Sequence, residues 1–432
     1  MPVFTSSIEV TADYPTIKPS LNLNFARSRS LDPRITFTRA STATYVGRDG
    51  LIKTAGNDEA RFDHDPETLE SLGLLIEENR SNSQPYSIVS DGPQGWPTIQ
   101  AVTFSIPTDV SAPDGSISDN RKMIATATTS SHSTFKLITT GSNGQIHTFS
   151  VYMKSAGSDY GYIYVDTAGG RYGGIAVQFS TGNTAIMGEI GIGTQVATTA
   201  TAVGNGWYRL SVSGSFSSTN NYYCHIDVGN DLAFSQFTGN GSDGIYVWGA
   251  QLEAGAFPTS YIPTSGSAVT RVADEGNITG DAFSSFYNTT EGVLQTEFSR
   301  IGSVYNQMVV QLKDSDGSER IEIRGQASSD DSFRMEVIEG DATGNPEYRF
   351  SGSVVANVVG QFAKVNLAYK QNDFASTING TIASTDNAGD VGVCDRVGIG
   401  YANYGIGYNG HIKNIIYYPK RLTNAQLQLL TS

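Results

Sequence analysis

Short segments in which apolar and polar residues alternate recur along the whole chain, and Gly, Asn or Ser separates most of them. Residues 145–153, 160–165 and 207–212 are clear examples. A period of two places every second side chain on one face of a strand, which is typical of half-buried antiparallel sheets. Glycine supplies 47 of the 432 residues and charged residues only 16%, a composition that also favours turn-rich β structure over helical bundles. We therefore predict an all-β fold of tandem β-sandwich or jelly-roll domains.

One short helix is predicted near the C-terminus. Thr423 is a suitable N-cap, and Gln426, three residues later, completes a capping box. Leu427 and Leu430 then lie on one face of the helix. We expect both leucines to pack onto the last sandwich.

Changes in composition divide the chain into three predicted segments. Residues 1–82 carry dense local motifs, and residues 83–272 read as many short strands. Strand patterns resume in residues 273–432, after a stretch of Pro, Ser and Gly at residues 258–267. We predict one domain for each of the two later segments, preceded by a strand-rich N-terminal segment.

Charge and cysteine content exclude several classes of function. The net charge is -14, which disfavours nucleic acid and anionic membranes and suits uncharged ligands such as sugars. Cys224 and Cys394 are the only cysteines, too few for a disulfide framework or a zinc site. We expect no secretory signal and no membrane insertion, since no apolar run reaches the length of about 18 residues that a span needs. We therefore expect the chain to be synthesised in a cytoplasm.

Four blocks in the N-terminal segment resemble a protein family. They are residues 32–45 (DPRITFTRASTATY), 49–55 (DGLIKTA), 60–66 (ARFDHDP) and 72–82 (LGLLIEENRSN). In this order and spacing they resemble a segment of tailed-phage virion proteins of the head-spike, fibre and tail-associated type. The family more often has Thr-Asn-Leu where this chain has Ser-Asn-Ser at residues 81–83.

The later segments resemble two kinds of sandwich. The middle segment is similar to the jelly roll of carbohydrate-binding modules, and the last to the laminin-G/concanavalin A-like lectin sandwich. The matching pieces are residues 112–115, 147–154, 206–210, 247–253 and 258–264 for the former, and 409–413 and 417–424 for the latter. The resemblance implies a structural protein located in the virion: a head spike, a fibre or a capsid decoration component. It also implies attachment to other virion proteins through residues 1–82 and a homo-oligomer, which we expect to be a trimer because phage spikes are commonly trimeric.

Binding to host surface glycans is the contact that we predict for such a protein. A sugar site needs exposed aromatic faces beside side chains that hydrogen-bond hydroxyl groups. The candidate carbohydrate-binding residues are Tyr160, Tyr162, Tyr164, Tyr172, Tyr401, Asn403, Tyr404 and Tyr408. Alternate tyrosines also pack half-buried sheets and subunit interfaces, so that interpretation stays open. Trp207 and Trp248 lie inside strong strand patterns and are assigned to the core.

Metal binding and catalysis have weaker signals. Asp314 and Asp316 resemble the opening of a calcium loop, but the later ligands are missing, and a hairpin turn explains the same residues. No cofactor is predicted, with Ca²⁺ as the one possibility. The carboxylates nearest to a glycosidase pair, Asp330, Asp331 and Glu336, read as solvated charges. We predict a protein without enzymatic activity; the alternative is a receptor-binding tail depolymerase that cleaves host polysaccharide.

Overall fold

The computed structural model describes residues 14–91, 95–96, 98–140, 143–302, 307–325, 333–340, 346–354, 360–400 and 407–432. About 52% of the chain is strand and 3% is helix, which confirms the all-β sandwich fold. In the part of the chain that is described, no helix is long and apolar enough to cross a membrane.

The first twelve strands are β1 (Leu21–Asn24), β2 (Thr36–Thr38), β3 (Ala43–Val46), β4 (Ile52–Ala55), β5 (Arg61–His64), β6 (Ser71–Ile76), β7 (Arg80–Asn82), β8 (Thr98–Gln100), β9 (Val102–Ser105), β10 (Arg121–Ala125), β11 (Thr129–Ser130) and β12 (His132–Thr139). The next twelve are β13 (His147–Ala156), β14 (Tyr160–Thr167), β15 (Gly170–Gln178), β16 (Thr184–Met187), β17 (Ile190–Gly191), β18 (Gly193–Ala202), β19 (Tyr208–Phe216), β20 (Asn221–Gly229), β21 (Phe237–Thr238), β22 (Gly244–Ala254), β23 (Val269–Arg271) and β24 (Glu275–Thr279). Helix α1 (Gly280–Ser284) and then β25 (Glu291–Arg300), β26 (Met308–Lys313), β27 (Arg320–Gly325), β28 (Phe333–Gly340), β29 (Pro346–Val354), β30 (Ala363–Lys370), β31 (Phe374–Ile378), β32 (Thr381–Asp386), β33 (Arg396–Ile399), β34 (Gly410–Tyr418) and helix α2 (Asn424–Thr431) follow.

The chain divides into two compact units. Unit 1 contains Met1–Thr38, Gly73–Glu78 and Asp274–Ser432, and unit 2 contains Arg39–Leu72 and Asn79–Ala273. The change of unit at Ala273 lies beside the boundary expected near residue 272. Residues 1–82, by contrast, contribute strands to both units.

Unit 2 is an antiparallel sandwich. One sheet, here the β13 sheet, has the order β18-β19-β13-β22-β10-β9, and the other, the β20 sheet, has the order β16-β15-β14-β20-β12-β8 with β17 beside β15. Alternate apolar side chains of both sheets fill the core, as the period-two pattern predicts. That core includes Met123, Phe149, Val151, Ile163, Val165, Tyr172, Leu210, Val212, Phe216, Tyr222, Cys224, Ile226, Val247 and Leu252.

Two buried arginines connect the N-terminal blocks of unit 2 to its last segment. Arg61 NH1 donates hydrogen bonds to the carbonyl oxygen of Thr44 and to Ser260 Oγ, both at 2.9 Å. Arg271 NH1 donates to Thr259 Oγ1 at 3.1 Å and to Ser260 Oγ at 3.0 Å. Because a buried guanidinium is costly without partners, these bonds explain why charged residues stand inside the blocks.

Asn82 makes a second connection of the same kind. Its side chain is fully buried, and Nδ2 donates to the carbonyl oxygens of Ile262 at 2.9 Å and Ala250 at 3.3 Å. Its Oδ1 accepts from the amides of Leu252 and Gln84, each at 3.0 Å. One amide side chain thus satisfies four backbone groups that the strands leave unpaired.

Unit 1 is a second antiparallel sandwich. One sheet contains β32-β31-β30-β25-β34, and β34 also pairs with β1 and β6. The other sheet has the order β2-β24-β33-β26-β27-β28-β29. Aromatic pairs join the two layers: the ring centroids of Phe298 and Phe333 are 4.6 Å apart, and those of Phe350 and Phe374 are 5.9 Å apart.

The predicted C-terminal helix is confirmed. Gln426 N donates to Thr423 Oγ1 at 3.3 Å and Thr423 N donates to Gln426 Oε1 at 3.0 Å, which is a complete capping box. Leu427 is fully buried in a small cluster with residues of β25, β30 and β31, and Leu430 packs against that cluster. Helix α1 was not predicted; it has five residues and begins at a glycine, and the buried ring of Phe283 anchors it.

Candidate functional site

Nine side chains form a regular grid on the outer face of the β20 sheet. Cross-strand register aligns β14, β20 and β12 so that their outward residues lie in three rows. The rows are Tyr162–Asp227–Ser133, Tyr164–His225–Phe135 and Asp166–Tyr223–Leu137. The residues between them, such as Ile163 and Cys224, point into the core. We call this grid the aromatic–acidic face.

Rings dominate the middle of the aromatic–acidic face. The rings of Tyr164 and His225 are stacked, with centroids 4.1 Å apart and planes 11° from parallel. Phe135 lies 4.7 Å from His225 on the other side, and Tyr223 meets Phe135 edge-on at 5.6 Å. Tyr164, Phe135 and Tyr223 are half-buried and Leu137 is exposed, so the face offers an apolar floor to a ligand.

Polar atoms inside the face lack partners. His225 Nε2 contacts Asp166 Oδ1 at 3.1 Å, a geometry that leaves Nδ1 as the free nitrogen of the ring. That Nδ1 and Asp227 Oδ1 are both buried and have no hydrogen-bond partner among the described residues. His225 is only 8% exposed and Asp227 only 7%. Buried polar atoms without partners are costly, and a bound ligand with hydroxyl or amine groups would satisfy them.

The electrostatics of the face follow from burial. Burial raises the pKa of Asp227 well above its usual range, and the negative charge of Asp166 raises it further. Burial likewise raises the pKa of the Tyr164 hydroxyl, with smaller contributions from Asp227 and Asp166. Tyr164 therefore stays neutral at physiological pH, and its role is that of a ring and a hydrogen-bonding hydroxyl.

Of the three candidate tyrosines on β14, which are Tyr160, Tyr162 and Tyr164, Tyr164 alone lies in the accessible part of the grid. Tyr162 is 3% exposed, its Oη donates to the carbonyl oxygen of Asp231 at 2.7 Å, and Phe234 covers its ring at 4.8 Å. The expectation that the Tyr162 ring stacks on a sugar is therefore corrected: a loop already occupies that position. Tyr160 is half-exposed and lines a cleft outside the grid.

Tyr160 lines a cleft of 370 Å³ at the loop end of unit 2. The cleft is lined by Ala125, Gly157, Ser158, Asp159, Tyr160, Val228, Gly229, Asn230, Phe237, Thr238, Gly239, Asn240 and Asp243. Its carboxylates have partners: Asn240 Nδ2 donates to Asp243 Oδ2 at 2.6 Å, and Ser180 N donates to Asp159 Oδ1 at 2.8 Å. The cleft combines a ring with amides, and side chains and backbone of the protein already hydrogen-bond both of these acids.

Two other candidate tyrosines are core residues. Tyr172 is fully buried and packs on Phe216 at 5.1 Å, since the register shift between Val165 and Asp166 places it on the core side of β15. Tyr408 is fully buried, and its Oη donates to the carbonyl oxygen of Ser299 at 2.6 Å. Neither ring is available to a ligand at the surface. The other candidates, Tyr401, Asn403 and Tyr404, lie outside the described residues. Trp207 and Trp248 are buried, as assigned.

The carboxylates of Asp314 and Asp316 organise a turn. Asp314 accepts hydrogen bonds from Glu319 N at 3.1 Å and Ser318 Oγ at 3.0 Å, and Asp316 accepts from Ser318 N at 2.9 Å. Across the described ranges, no three His, Cys, Asp or Glu residues are grouped so that they could hold a metal ion. The hairpin interpretation accounts for both aspartates, and calcium binding stays a prediction.

Glu336 belongs to a buried ion cluster, so the expectation that it is a solvated charge is wrong. Arg324 Nε lies 2.7 Å from Glu336 Oε2 and 2.8 Å from Glu322 Oε1, and Arg334 NH1 lies 3.3 Å from Glu336 Oε1. Glu322 stands directly opposite Glu336 in the ladder between β27 and β28. Burial raises the pKa of Glu322 to about 7 against the opposing effect of Arg324. Asp330 and Asp331 lie outside the described residues.

Of the nine residues of the aromatic–acidic face, the sequence candidates include only Tyr162 and Tyr164. Phe135, Asp166, His225 and Asp227, on which the chemistry of the face depends, were missed. Two strands carry a ring and a carboxylate two residues apart, Tyr164 with Asp166 and His225 with Asp227. Residues two apart on a strand share a face, so this repeated spacing was the available signal.

Solved structures similar to this chain are β-sandwich domains. A laminin α1 fragment from mouse, domains LG4-5, is 8% identical, with 67% of this chain and 88% of that chain covered and a TM-score of 0.24. The CBM40 domain of the Ruminococcus gnavus IT-sialidase, bound to α2,3-sialyllactose, is 12% identical, covering 34% and 84%, with a TM-score of 0.28. The heptameric SAP-like pentraxin from Limulus polyphemus is 14% identical, covering 33% and 70%, with a TM-score of 0.27. TM-scores this low carry no argument about ligand or activity.

No protein-family model and no curated protein matches the sequence. The fold and the candidate site therefore define the class of this protein: an all-β chain of two sandwich units, one of which carries an aromatic–acidic face.

Proposed function

We propose that this protein is a non-enzymatic structural component of a phage virion, a head spike, fibre or decoration protein, that binds host surface glycans through its aromatic–acidic face. One observation carries the binding proposal: His225 Nδ1 and Asp227 Oδ1, two buried polar atoms that have no partner in the described part of the chain, lie among half-buried rings. The virion assignment is supported by the resemblance of residues 32–82 to phage virion proteins.

The chemistry of the face suits a pyranose ring. Its C–H face would stack on Tyr164 or Tyr223, because aromatic faces attract such polarised C–H groups. When His225 Nε2–H donates to Asp166, Nδ1 is an acceptor for a sugar hydroxyl, and Asp227 offers a second polar group. A shallow face of this kind binds single sugars weakly, at about millimolar to tens of micromolar, and multiple copies on a particle would supply avidity.

A glycan array with the full chain tests the proposal. Tyr223→Ala and Tyr164→Ala should each lower the array signal at least about tenfold with an unchanged circular dichroism spectrum, because each removes one stacking ring. The matched control is Tyr246→Ala, a half-buried tyrosine on β22 in the other sheet. It should leave the signal unchanged.

Three results would contradict parts of the proposal. No binding to any bacterial surface glycan by the intact protein refutes glycan recognition. Binding that survives both tyrosine variants refutes this face as the site. Release of reducing ends from host polysaccharide refutes the non-enzymatic role and supports the depolymerase.

We also propose that copies of the chain assemble as a trimer and contact other virion proteins. Edge strands such as β18, which among the described strands pairs with β19 alone, leave backbone groups available for contacts between subunits. Light scattering at micromolar concentration should give three times the chain mass of 46.2 kDa. A monomer mass under these conditions would contradict the assembly.

A further inference from the structure

The charges on the aromatic–acidic face are predominantly negative. Asp166 and Asp227 are its two carboxylates, His225 is its one base, and none of the nine residues is Lys or Arg. The cation opposite Asp166 in the register is Arg171 on β15, and its Nε donates to the carbonyl oxygen of Gly188 at 3.1 Å. No positive side chain therefore stands in the row of Asp227.

Asp227 is the carboxyl group of the face that has an oxygen without a hydrogen-bond partner among the described residues. Its neighbours in the row are the Tyr162 phenol, which bonds Asp231, and Ser133. A carboxyl group that is 7% exposed and has one oxygen without a partner is costly when charged, unless a cation pairs with it. The ring of Tyr164 lies in the adjoining row, and the ring of Tyr223 lies in the row beyond it. Both rings attract cations over their faces.

We propose that the ligand of this face is a cationic amino sugar, a glycan unit with a free amine such as glucosamine. This inference rests on the proposed glycan function and names the ligand class of the same site. The ammonium group supplies three N–H donors and a positive charge to Asp227, while the sugar ring stacks on the tyrosines. An N-acetylated sugar offers one N–H without charge, a neutral hexose offers only hydroxyls, and an anionic sugar is repelled by Asp166.

Calorimetric titration of the full chain with three oligosaccharides of equal length tests the inference. The probes are oligomers of glucosamine, N-acetylglucosamine and glucose. The glucosamine oligomer should bind about tenfold more tightly than the other two. Raising the salt concentration from 0.05 to 0.5 M should reduce that preference, because added ions screen the attraction.

Asp227→Asn keeps the shape of the side chain and removes the carboxylate that a bound ammonium group would pair with. It should abolish the preference for glucosamine while leaving the affinity for the neutral oligomers within about twofold. Asp243→Asn, an exposed carboxylate of the same unit outside the face, is the matched control and should keep the preference. Asp166→Asn, at a side chain that is 36% exposed, serves if the buried variant fails to fold, and should reduce the preference about threefold.

The outcomes separate this inference from the proposed function. Equal affinity for cationic and neutral oligomers overturns the amino-sugar inference and leaves glycan binding intact. Absence of binding to all three, and to a wider array, overturns both. A preference for glucosamine that persists in Asp227→Asn and Asp166→Asn overturns the assignment of the amine to these carboxylates.

Discussion

Replacing Leu427 by Ala tests whether helix α2 is part of the core of unit 1 or an appendage. Leu427 is fully buried, in a small cluster with Val293, Ala368, Ala375 and Tyr418. The carbonyl oxygen of Leu427 accepts a hydrogen bond from the Asn366 side chain at 3.0 Å, and that bond is kept because alanine has the same backbone. The substitution therefore isolates side-chain packing.

The magnitude follows from transfer and cavity contributions. Removing a fully buried leucine side chain loses roughly 2 kcal/mol of transfer free energy. The cavity left behind brings the total cost to about 3 kcal/mol, since neighbouring strands collapse only in part. In a unit of this size the midpoint of thermal unfolding should fall by about 6–12 °C.

Leu429→Ala is the matched control, because it makes the same substitution in the same helix at a half-buried position outside the cluster. Its cost should stay below about 1 kcal/mol. Hydrogen exchange of β31 amides measures the effect locally, since the three tryptophans lie in unit 2 and do not report on unit 1. A Leu427→Ala variant as stable as Leu429→Ala would refute the argument that the helix closes this core.

Three further predictions concern a cap, a buried amide and a buried acid. Thr423→Ala removes the capping box and should cost about 1 kcal/mol, seen as faster amide exchange in α2; unchanged exchange would contradict the cap. Asn82→Asp places a carboxylate against two carbonyl oxygens and should destabilise unit 2 by about 2–4 kcal/mol, more at pH 8 than at pH 4, in denaturant titrations; equal losses at both pH values would be inconsistent with this reasoning. In the folded state the pKa of Glu322 is raised to about 7. Between about pH 4.5 and 7 the folded chain therefore keeps a proton on Glu322 that the unfolded chain has released. The free energy of unfolding consequently falls as the pH rises through that window. Glu322→Gln should remove up to about 3 kcal/mol of this dependence, and an unaltered slope would count against the raised pKa.

The elements that sequence predicted are those with local causes. Alternation over residues 145–153, 160–165 and 207–212 marks strands β13, β14 and β19, and the Thr423 motif marks the start of α2. Each depends on residues a few positions apart, so the pattern alone carries the information. The all-β class follows from the repetition of such local patterns along the chain.

The candidate site depends on pairing between distant segments, which no local pattern reveals. Phe135, Tyr164 and His225 meet only because β12 and β14 flank β20. A register irregularity in β15 places the Tyr172 ring in the core, although the sequence pattern suggested that this ring is exposed. Glu336 resembled a surface charge because its partners, Arg324 and Glu322, lie on the neighbouring strand. In each case the deciding neighbour lies on another strand, and the pattern of the residue's own segment does not reveal it.

The interleaved division of the chain between the units has a consequence for synthesis on the ribosome. Strand β6 carries Leu74, Leu75 and Ile76, and its partner strand β34 is translated only after all of unit 2. At bacterial elongation rates this apolar strand waits on the order of half a minute for its partner, while unit 2 already has every residue it needs. Nascent chains should therefore recruit holding chaperones at β6, and a stalled chain that ends after Ala273 should present a folded unit 2 and a β6 whose edge toward β34 is unpaired.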